Sequence, residues 1–226
     1  MTTSELVVTV TNSDVVKTGF LICCAGLNAD RLATLHGLSI NFRIIPFRGE
    51  YYRLSPDKND LIEHLIYPIP DPALPFLGVH LTRVANGGVI VGPNAVLGWE
   101  REGYGKYNFD LQDIKDTFSF PGFWKLASRN WISGLYEFRN SIWKAGYLRQ
   151  VQKYCPQLKS DDLQPYPAGV RAQAVMNDGT LAHDFLSAES SRSLHVCNAP
   201  SPAATSAIPI GQYICNKASP LSLIHI

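Results

Sequence analysis

The sequence predicts an α+β fold, in which strand-forming segments at both ends of the chain flank a helical middle. Runs rich in β-branched residues, such as 6–10 and 42–54, are typical of strands. Apolar residues spaced three and four apart from Phe123 to Ile142 predict a long amphipathic helix. After Pro165 the chain returns to alternating, strand-like segments. With 226 residues, 46% of them hydrophobic, the chain is long enough for one large domain or two small ones.

Composition and charge argue against several classes of function. The formal net charge is +1 and Lys and Arg form no cluster, so we expect no nucleic-acid partner. The five cysteines are an odd number without metal-ligand spacing, which favours buried free thiols in a reducing compartment and predicts no metal site. No apolar run is long enough to span a bilayer, and no targeting segment is visible at the amino terminus.

The first forty residues are typical of part of an α/β unit. Residues 6–10 and 15–16 predict a strand and its return, with a turn between them. The apolar run 19–26 predicts a central parallel strand, buried on both faces, that ends at Ala25 and Gly26 and leads into a helix. Ligands bind α/β sheets at such strand ends. Alternatively, Gly26 serves only the turn.

From residue 40 to residue 93 the pattern favours further strands. Segment 42–54 alternates, with Gly49 as a bulge or a point of close approach. Segments 65–68 and 77–83 are also strand candidates, and Asn86-Gly87-Gly88 predicts a hairpin into 89–93. Alternation places His80 and Thr82 on one strand face. A strand histidine among apolar neighbours is either a structural residue or a titratable group with a shifted pKa.

The helical middle begins at Pro121, and a second helical stretch ends before Pro156. Four tryptophans lie in or just before these helices, and we expect them to pack in the core. The alternative is a membrane-surface face, because tryptophan and arginine both occur along the helix. These tryptophans are Trp99, Trp124, Trp131 and Trp143.

Two later segments carry candidate ligand-binding residues. The strand-like run 168–175 places Arg171 and Gln173 on one face, and the planar guanidinium of Arg171 suits a carboxylate. The alternative for Arg171 is a surface ion pair. Further on, the run 194–197 predicts a strand, followed by a tight turn and a helix that begins at Pro202 and kinks at Pro209. Such a helix start suits an anionic ligand, although an ordinary strand-to-helix connection has the same pattern.

Six blocks of sequence together resemble a known family. They are 20–32 (FLICCAGLNADRL), 45–52 (IPFRGEYY), 67–83 (YPIPDPALPFLGVHLTR), 92–97 (GPNAVL), 169–174 (GVRAQA) and 194–205 (LHVCNAPSPAAT). In order and spacing they resemble the FAD-dependent L-2-hydroxyglutarate dehydrogenases, which belong to the D-amino-acid-oxidase-like flavoprotein superfamily. The resemblance runs from about residue 15 to residue 217.

The chain also departs from that family's pattern. Such flavoproteins begin with a Gly-x-Gly-x-x-Gly turn that holds the FAD pyrophosphate, and this sequence has none. The match begins near the middle of the family's length, and residues 218–226 resemble nothing in it. We therefore expect a truncated chain with an atypical tail. The alternatives are a non-catalytic fragment unable to hold FAD and another flavin oxidase of the superfamily that acts on amino acids.

The resemblance implies a domain arrangement and a reaction. Residues 1–40 and 166–217 would belong to an FAD-binding domain, and 41–165 to a substrate domain with a mixed sheet and long helices. L-2-hydroxyglutarate would be oxidised to 2-oxoglutarate by hydride transfer to FAD, with an unspecified electron acceptor. Eukaryotic members of the family imply a mitochondrial location.

The resemblance also assigns residues to roles. His80 would be the base that removes the hydroxyl proton. Arg171 and Arg48 would bind the two carboxylates, with Gln173 and Thr82 beside them. The residues expected to approach FAD are Ala25, Gly26, Asn198, Ala199, Pro200, Ser201, Ala203 and Thr205.

Overall fold

The computed structural model describes residues 7–11, 13–69, 78–199 and 203–223. In chain order the elements are β1 (Val7–Val10), β2 (Val15–Thr18), β3 (Leu21–Cys23), α1 (Ala29–Leu35), β4 (Phe42–Leu54), β5 (His80–Arg83), β6 (Val89–Gly92), β7 (Val96–Leu97), α2 (Leu111–Phe118), α3 (Pro121–Ile142), α4 (Lys144–Val151), β8 (Leu163–Met176), β9 (Leu186–Ser190), β10 (Ser193–Asn198) and α5 (Ala207–Leu223). This mixture of separate sheets and helices confirms the predicted α+β class.

The chain divides into two units. Unit 1 comprises Met1–Ile44 and Gln173–Ile226, and unit 2 is the continuous segment Ile45–Ala172. The boundaries predicted from the sequence were 40/41 and 165/166, a few residues earlier in each case. The assignment of the units to cofactor and substrate stays a prediction.

Unit 1 contains a hairpin and a three-stranded sheet. Strands β1 and β2 pair antiparallel, as expected from the turn between them. The sheet has the order β3-β10-β9, with β3 parallel and β9 antiparallel to β10. The prediction that the run around β3 is a buried central strand is wrong. Within the described residues β3 is an edge strand, and the side chain of Ile22 is 46% exposed.

Helix α5 also differs from the prediction. Residues 203–206 form turns, and the helix begins at Ala207 rather than at Pro202. Pro209 is therefore the third helical residue, where no N–H is needed for an intrahelical bond, and the expected kink there does not occur. The proline in the interior of the helix is Pro220, in the segment that resembled nothing in the family.

Unit 2 is built on a five-stranded sheet. Its order is β5-β6-β4-β7, and β8 also pairs with β4. The pairs β5–β6, β6–β4 and β4–β7 are antiparallel, and the predicted Asn86-Gly87-Gly88 turn connects β5 to β6 with Gly87 at φ +82°. Among the described residues, segment 65–68 makes only a bridge, between Ile66 and Leu81. Gly49 is a point of close approach, because a Cβ there would stand 2.9 Å from the Cβ of Pro93.

One face of this sheet packs on α4 to form the core of unit 2. Val89, Val91 and Leu81 of the sheet are almost fully buried there, together with Tyr147 and Val151 of α4. Burying such side chains stabilises the fold by about 1.5–3 kcal/mol each. The core of unit 2 therefore lies on one face of the sheet.

The tryptophans do not pack in the core, so that prediction is wrong. Trp124, Trp131 and Trp143 are 55–63% exposed, and Trp99 is 37% exposed. Helix α3 is kinked at Asn130, whose non-helical backbone (φ −120°, ψ 17°) breaks the apolar stripe. Phe123 before the kink is buried, whereas the apolar side chains that follow the kink are exposed.

Three further observations concern cysteines, metals and membranes. All five cysteines are free thiols, but only Cys155 and Cys197 are buried, and Cys24 is exposed, contrary to expectation. In the ranges given above, no cluster of His, Cys, Asp and Glu is arranged to hold a metal ion. None of the described helices combines the length and apolarity needed to cross a membrane.

Candidate functional site

The sheet of unit 2 separates the predicted substrate-binding residues onto two faces. Leu81 lies in the core facing α4, so its neighbours His80 and Thr82 point to the opposite face. Arg48 and Glu50 lie on the α4 side, because Ser141, close to the start of α4, donates a hydrogen bond to the Glu50 carboxylate. The structure therefore does not bring Arg48 together with His80.

One ring nitrogen of His80 is held by a hydrogen bond. Its Nδ1 lies 3.1 Å from the carbonyl oxygen of Gly78, and a carbonyl can only accept, so Nδ1 is the donor in this contact. In the neutral ring the lone pair is then on Nε2. The ring is half-buried and packs against Tyr67, with ring centres 5.3 Å apart. Thr82 is also half-buried on the same strand face.

Arg48 is held by a buried polar cluster. Its Nη2 donates to Glu50 Oε1 at 2.7 Å, and both side chains are at least 86% buried. Ser141 Oγ donates to the same oxygen at 2.8 Å, and Asn94 Nδ2 donates to Glu50 Oε2 at 2.9 Å. The Glu50 carboxylate neutralises the charge of Arg48. A substrate carboxylate would therefore have to compete with Glu50 for the guanidinium.

Arg171 and Gln173 differ in their surroundings. Arg171 is exposed on β8, and its charge acts to lower the pKa of the Tyr51 hydroxyl, against the larger opposite effect of burial. Gln173 is buried, and its Nε2 donates to the carbonyl oxygens of Ala174 (3.2 Å) and Ala182 (3.1 Å). These hydrogen bonds hold the Gln173 carboxamide in place, whereas the Arg171 side chain is exposed.

In unit 1 two of the predicted cofactor segments meet at one sheet edge. Because β3 and β10 are parallel, their carboxyl ends lie side by side, which places Ala25 and Gly26 near Asn198 and Ala199. Gly26 has φ +51°, and a Cβ built there would meet no atom within 4 Å. The backbone at this edge is therefore open to close approach, and the assignment of these residues to FAD stays a prediction.

The segment after β10 agrees less well with the predicted contacts to the cofactor. Asn198 Nδ2 donates to the carbonyl oxygens of Asp184 (2.7 Å) and Ala182 (3.3 Å), so its amide hydrogens point to that loop. Ala203 and Thr205 lie in the turns before α5 rather than in its first turn. Pro200 and Ser201 lie outside the described residues.

Sequence reasoning missed the partners that hold these residues. Glu50 follows Arg48 by two positions with opposite charge, and alternation within β4 was the signal for their pairing. The role of Tyr147 had no such signal. Its hydroxyl donates to the Val91 carbonyl at 3.0 Å, and burial raises its pKa well above the usual range, which keeps the hydroxyl protonated.

Comparisons with known proteins agree with the flavoprotein resemblance. The chain is 57% identical to the L-2-hydroxyglutarate dehydrogenase of Salmonella houtenae, over 91% of this chain and 49% of that protein. It is 58% identical to the same enzyme of Escherichia coli K12, over 89% and 48%. The mitochondrial human L-2-hydroxyglutarate dehydrogenase is 41% identical, over 94% and 47%. The chain spans about half the length of these curated relatives.

A solved structure and a family profile extend the comparison. The FAD-bound, dithionite-reduced L-alpha-glycerophosphate oxidase from Mycoplasma pneumoniae matches with a TM-score of 0.58 at 19% identity, covering 94% of this chain and 45% of that one. At this identity the likeness concerns the fold alone. The profile of the family described as DAO, FAD dependent oxidoreductase, matches residues 2–217. Since this match covers nearly all of the chain, the protein belongs to the DAO family of FAD-dependent oxidoreductases.

Proposed function

We propose that the chain acts in the FAD-dependent oxidation of L-2-hydroxyglutarate to 2-oxoglutarate. The observation that carries the proposal is the 57–58% identity to bacterial L-2-hydroxyglutarate dehydrogenases over about nine tenths of this chain. In this proposal unit 2 binds the hydroxy acid, and the sheet edge in unit 1 contributes part of the FAD site.

In this proposal three of the predicted residues of unit 2 carry the substrate chemistry. Arg171 binds one carboxylate of the diacid through its guanidinium fork. His80 accepts the substrate's hydroxyl proton at Nε2, and the Gly78 carbonyl holds its other nitrogen protonated. Thr82 lies beside His80 on the same face. FAD, when bound, supplies the hydride acceptor.

Arg48 has a different place in this proposal. Its guanidinium is buried against Glu50 on the far face of the sheet from His80. We therefore assign it to the stability of the sheet–helix packing, and the assignment to a second carboxylate stays a prediction. Gln173 supports the loop around Ala182.

The experiment is oxidation by the purified chain with FAD added in excess. Because the sequence has no Gly-x-Gly-x-x-Gly turn, we expect little flavin absorbance to co-purify with the protein. With FAD and an artificial electron acceptor, we expect 2-oxoglutarate from L-2-hydroxyglutarate and no product from the D-enantiomer or from amino acids. Oxidation of amino acids at a comparable rate would favour the other flavin oxidase. Failure to bind both FAD and the acid would favour the non-catalytic fragment.

A second proposal concerns the exposed apolar face of α3 after its kink. This face carries Trp131, Leu135, Phe138 and Ile142, all 48–63% exposed, at spacings of three and four residues. From residue 121 to residue 153 there are six Lys or Arg residues and a single acidic residue, Glu137. An apolar stripe flanked by basic side chains is typical of helices that lie on anionic membranes. We propose that this face rests on such a membrane.

Co-sedimentation with lipid vesicles tests the membrane proposal. We expect the chain to bind vesicles with anionic lipid, and Trp131→Glu to weaken binding about tenfold or more, since burying one large apolar side chain is worth about 1.5–3 kcal/mol. Ile208→Glu is the control, because Ile208 is 88% exposed on α5 in unit 1. Equal binding by both variants would refute the proposal. Dimers that only Trp131→Glu dissociates would indicate that a second copy covers the face.

The mitochondrial location remains a prediction that depends on the source of the chain. Relatives named mitochondrial are 41–44% identical, whereas bacterial dehydrogenases reach 57–58%.

A further inference from the structure

His195, in the middle of β10, is a buried histidine that no assignment above uses. It is 0% exposed, and neither Nδ1 nor Nε2 has a hydrogen-bond partner among the described residues. Buried polar side chains are almost always hydrogen-bonded, and a buried charge without a partner is far less favourable than a buried neutral group. The site of His195 therefore accepts a neutral ring and disfavours a protonated one.

The ring of His195 lies between the sheet of unit 1 and α1. Its neighbours Leu194 and Val196 line a small cavity together with Tyr213 of α5, so they point to the face that α5 covers. Alternation along β10 then places His195 on the opposite face. On that face the ring meets His36, the residue that ends α1, with ring centres 5.0 Å apart and 70° between the ring planes. Helix α1 thus covers the histidine.

The titratable groups around the ring leave both of its nitrogens unpaired. They are Asp30 and His36 of α1, Cys23 of β3 and Cys197 of β10, while β9 contributes only Ala188. The Asp30 carboxylate accepts hydrogen bonds from the backbone N–H groups of Arg31 (2.8 Å) and Ile44 (3.0 Å). Burial raises the pKa of the Cys197 thiol to about 11, so this thiol stays uncharged. Within the described residues a protonated His195 would therefore have no hydrogen-bonded counter-charge.

These surroundings make the stability of unit 1 depend on pH. Burial lowers the pKa of His195, and the charge of His36 acts in the same direction. In an unfolded chain histidine titrates near its ordinary value of about 6.5. Above that pH His195 is neutral in both states. As the pH falls below it, the unfolded chain takes up a proton that the folded chain resists, so the folded chain loses stability.

We propose that His195 makes the packing of α1 on the sheet an acid-sensitive contact, in which a proton on the ring drives it out from under α1 and separates the helix from β10. Histidine suits this role because its charge changes between about pH 5 and 8. Helix α1 follows Ala25 by the single turn Gly26–Asn28, so its release also loosens the strand ends where Ala25 and Asn198 lie. This contact responds to pH whatever the chain oxidises.

The test is urea unfolding of the wild-type chain and of two variants, His195→Leu and His183→Leu. A histidine that takes up its proton only in the unfolded state raises the unfolding equilibrium constant about tenfold between about pH 7.5 and about pH 5.5. We expect this rise to be about tenfold larger in the wild type than in His195→Leu, which has no ring to protonate. His183→Leu, the same change at an exposed histidine of unit 1, should keep the wild-type pH dependence. A His195→Leu chain that also keeps it would overturn the proposal.

Amide hydrogen exchange of the wild-type chain locates the change without a variant. After correction for the intrinsic effect of pH on exchange, protection in α1 should fall about tenfold over the same pH range, while protection in α4 of unit 2 stays within about twofold. Equal losses in both helices would show that acid acts on the whole chain rather than at His195, and would overturn the proposal. An α1 that is unaffected by acid would also overturn it. Neither result bears on the oxidation proposed above.

Discussion

Replacing His80 with asparagine is expected to lower kcat for L-2-hydroxyglutarate by a factor of about 10² to 10⁴, the usual contribution of a positioned base. Hydride loss from the alcohol carbon requires the hydroxyl proton to leave, and asparagine has no nitrogen lone pair to accept it. The asparagine amide still reaches toward the Gly78 carbonyl, so the strand should keep its shape. Steady-state kinetics of the FAD-supplemented chain measure the change in kcat.

The matched control for this variant is His64→Asn. His64 is an exposed histidine in the loop before β5, also in unit 2. It should leave kcat unchanged. If His80→Asn lowers kcat less than about fivefold, the base is another residue and His80 is structural.

Replacing Glu50 with alanine should cause the largest loss of stability among the changes considered. The Arg48 guanidinium, 7% exposed, would lose its counter-charge, and the amide of Asn94 and hydroxyl of Ser141 would lose their acceptor. Breaking a buried ion pair from one side costs about 3–5 kcal/mol. Urea unfolding of the purified chain measures this loss.

Two further variants test whether the loss of stability comes from the burial of the ion pair and from the unpaired charge that remains. Lys217 and Glu189 form an ion pair of the same 2.7 Å length, but both side chains are at least 34% exposed. Glu189→Gln should therefore cost less than about 1 kcal/mol. Adding Arg48→Met to Glu50→Ala removes the unpaired charge and should recover part of the stability. A double variant as unstable as Glu50→Ala would show that the uncompensated charge of Arg48 is not the cause.

The sequence predicted correctly those helix and strand boundaries that depend on residues close by in the chain. Strand β4 covers the predicted 42–54, and α3 begins at the predicted Pro121. The start of α5 was missed because Ser201 and Ser206 are equally good helix caps. The carbonyl of Ser206 accepts the first helical bond, from Ile210. Local preference did not decide between these two starts, and Pro209 is compatible with the later one.

The candidate site was less predictable, because it depends on which sheet face is covered. Alternation correctly placed His80 and Thr82 on one strand face, but it did not show that α4 packs on the other. That packing determines that Arg48 points away from His80. The kink at Asn130 was hidden for a similar reason, because the apolar spacing of α3 continues unchanged through it. These features follow from contacts between residues that are distant in sequence.

The pairing of β3 with β10 has a consequence for the order in which the chain folds. Leu21 pairs with Ser193, so β3 and β10 are far apart in the sequence. Their pairing closes a long loop, which is costly in entropy. Unit 2 is one continuous segment and has all its residues once Ala172 is made. During synthesis unit 2 should therefore acquire structure first. Before β10 is synthesised, β3 has no strand to pair with and its apolar residues stay exposed. The newly made chain is therefore most prone to aggregate at this stage.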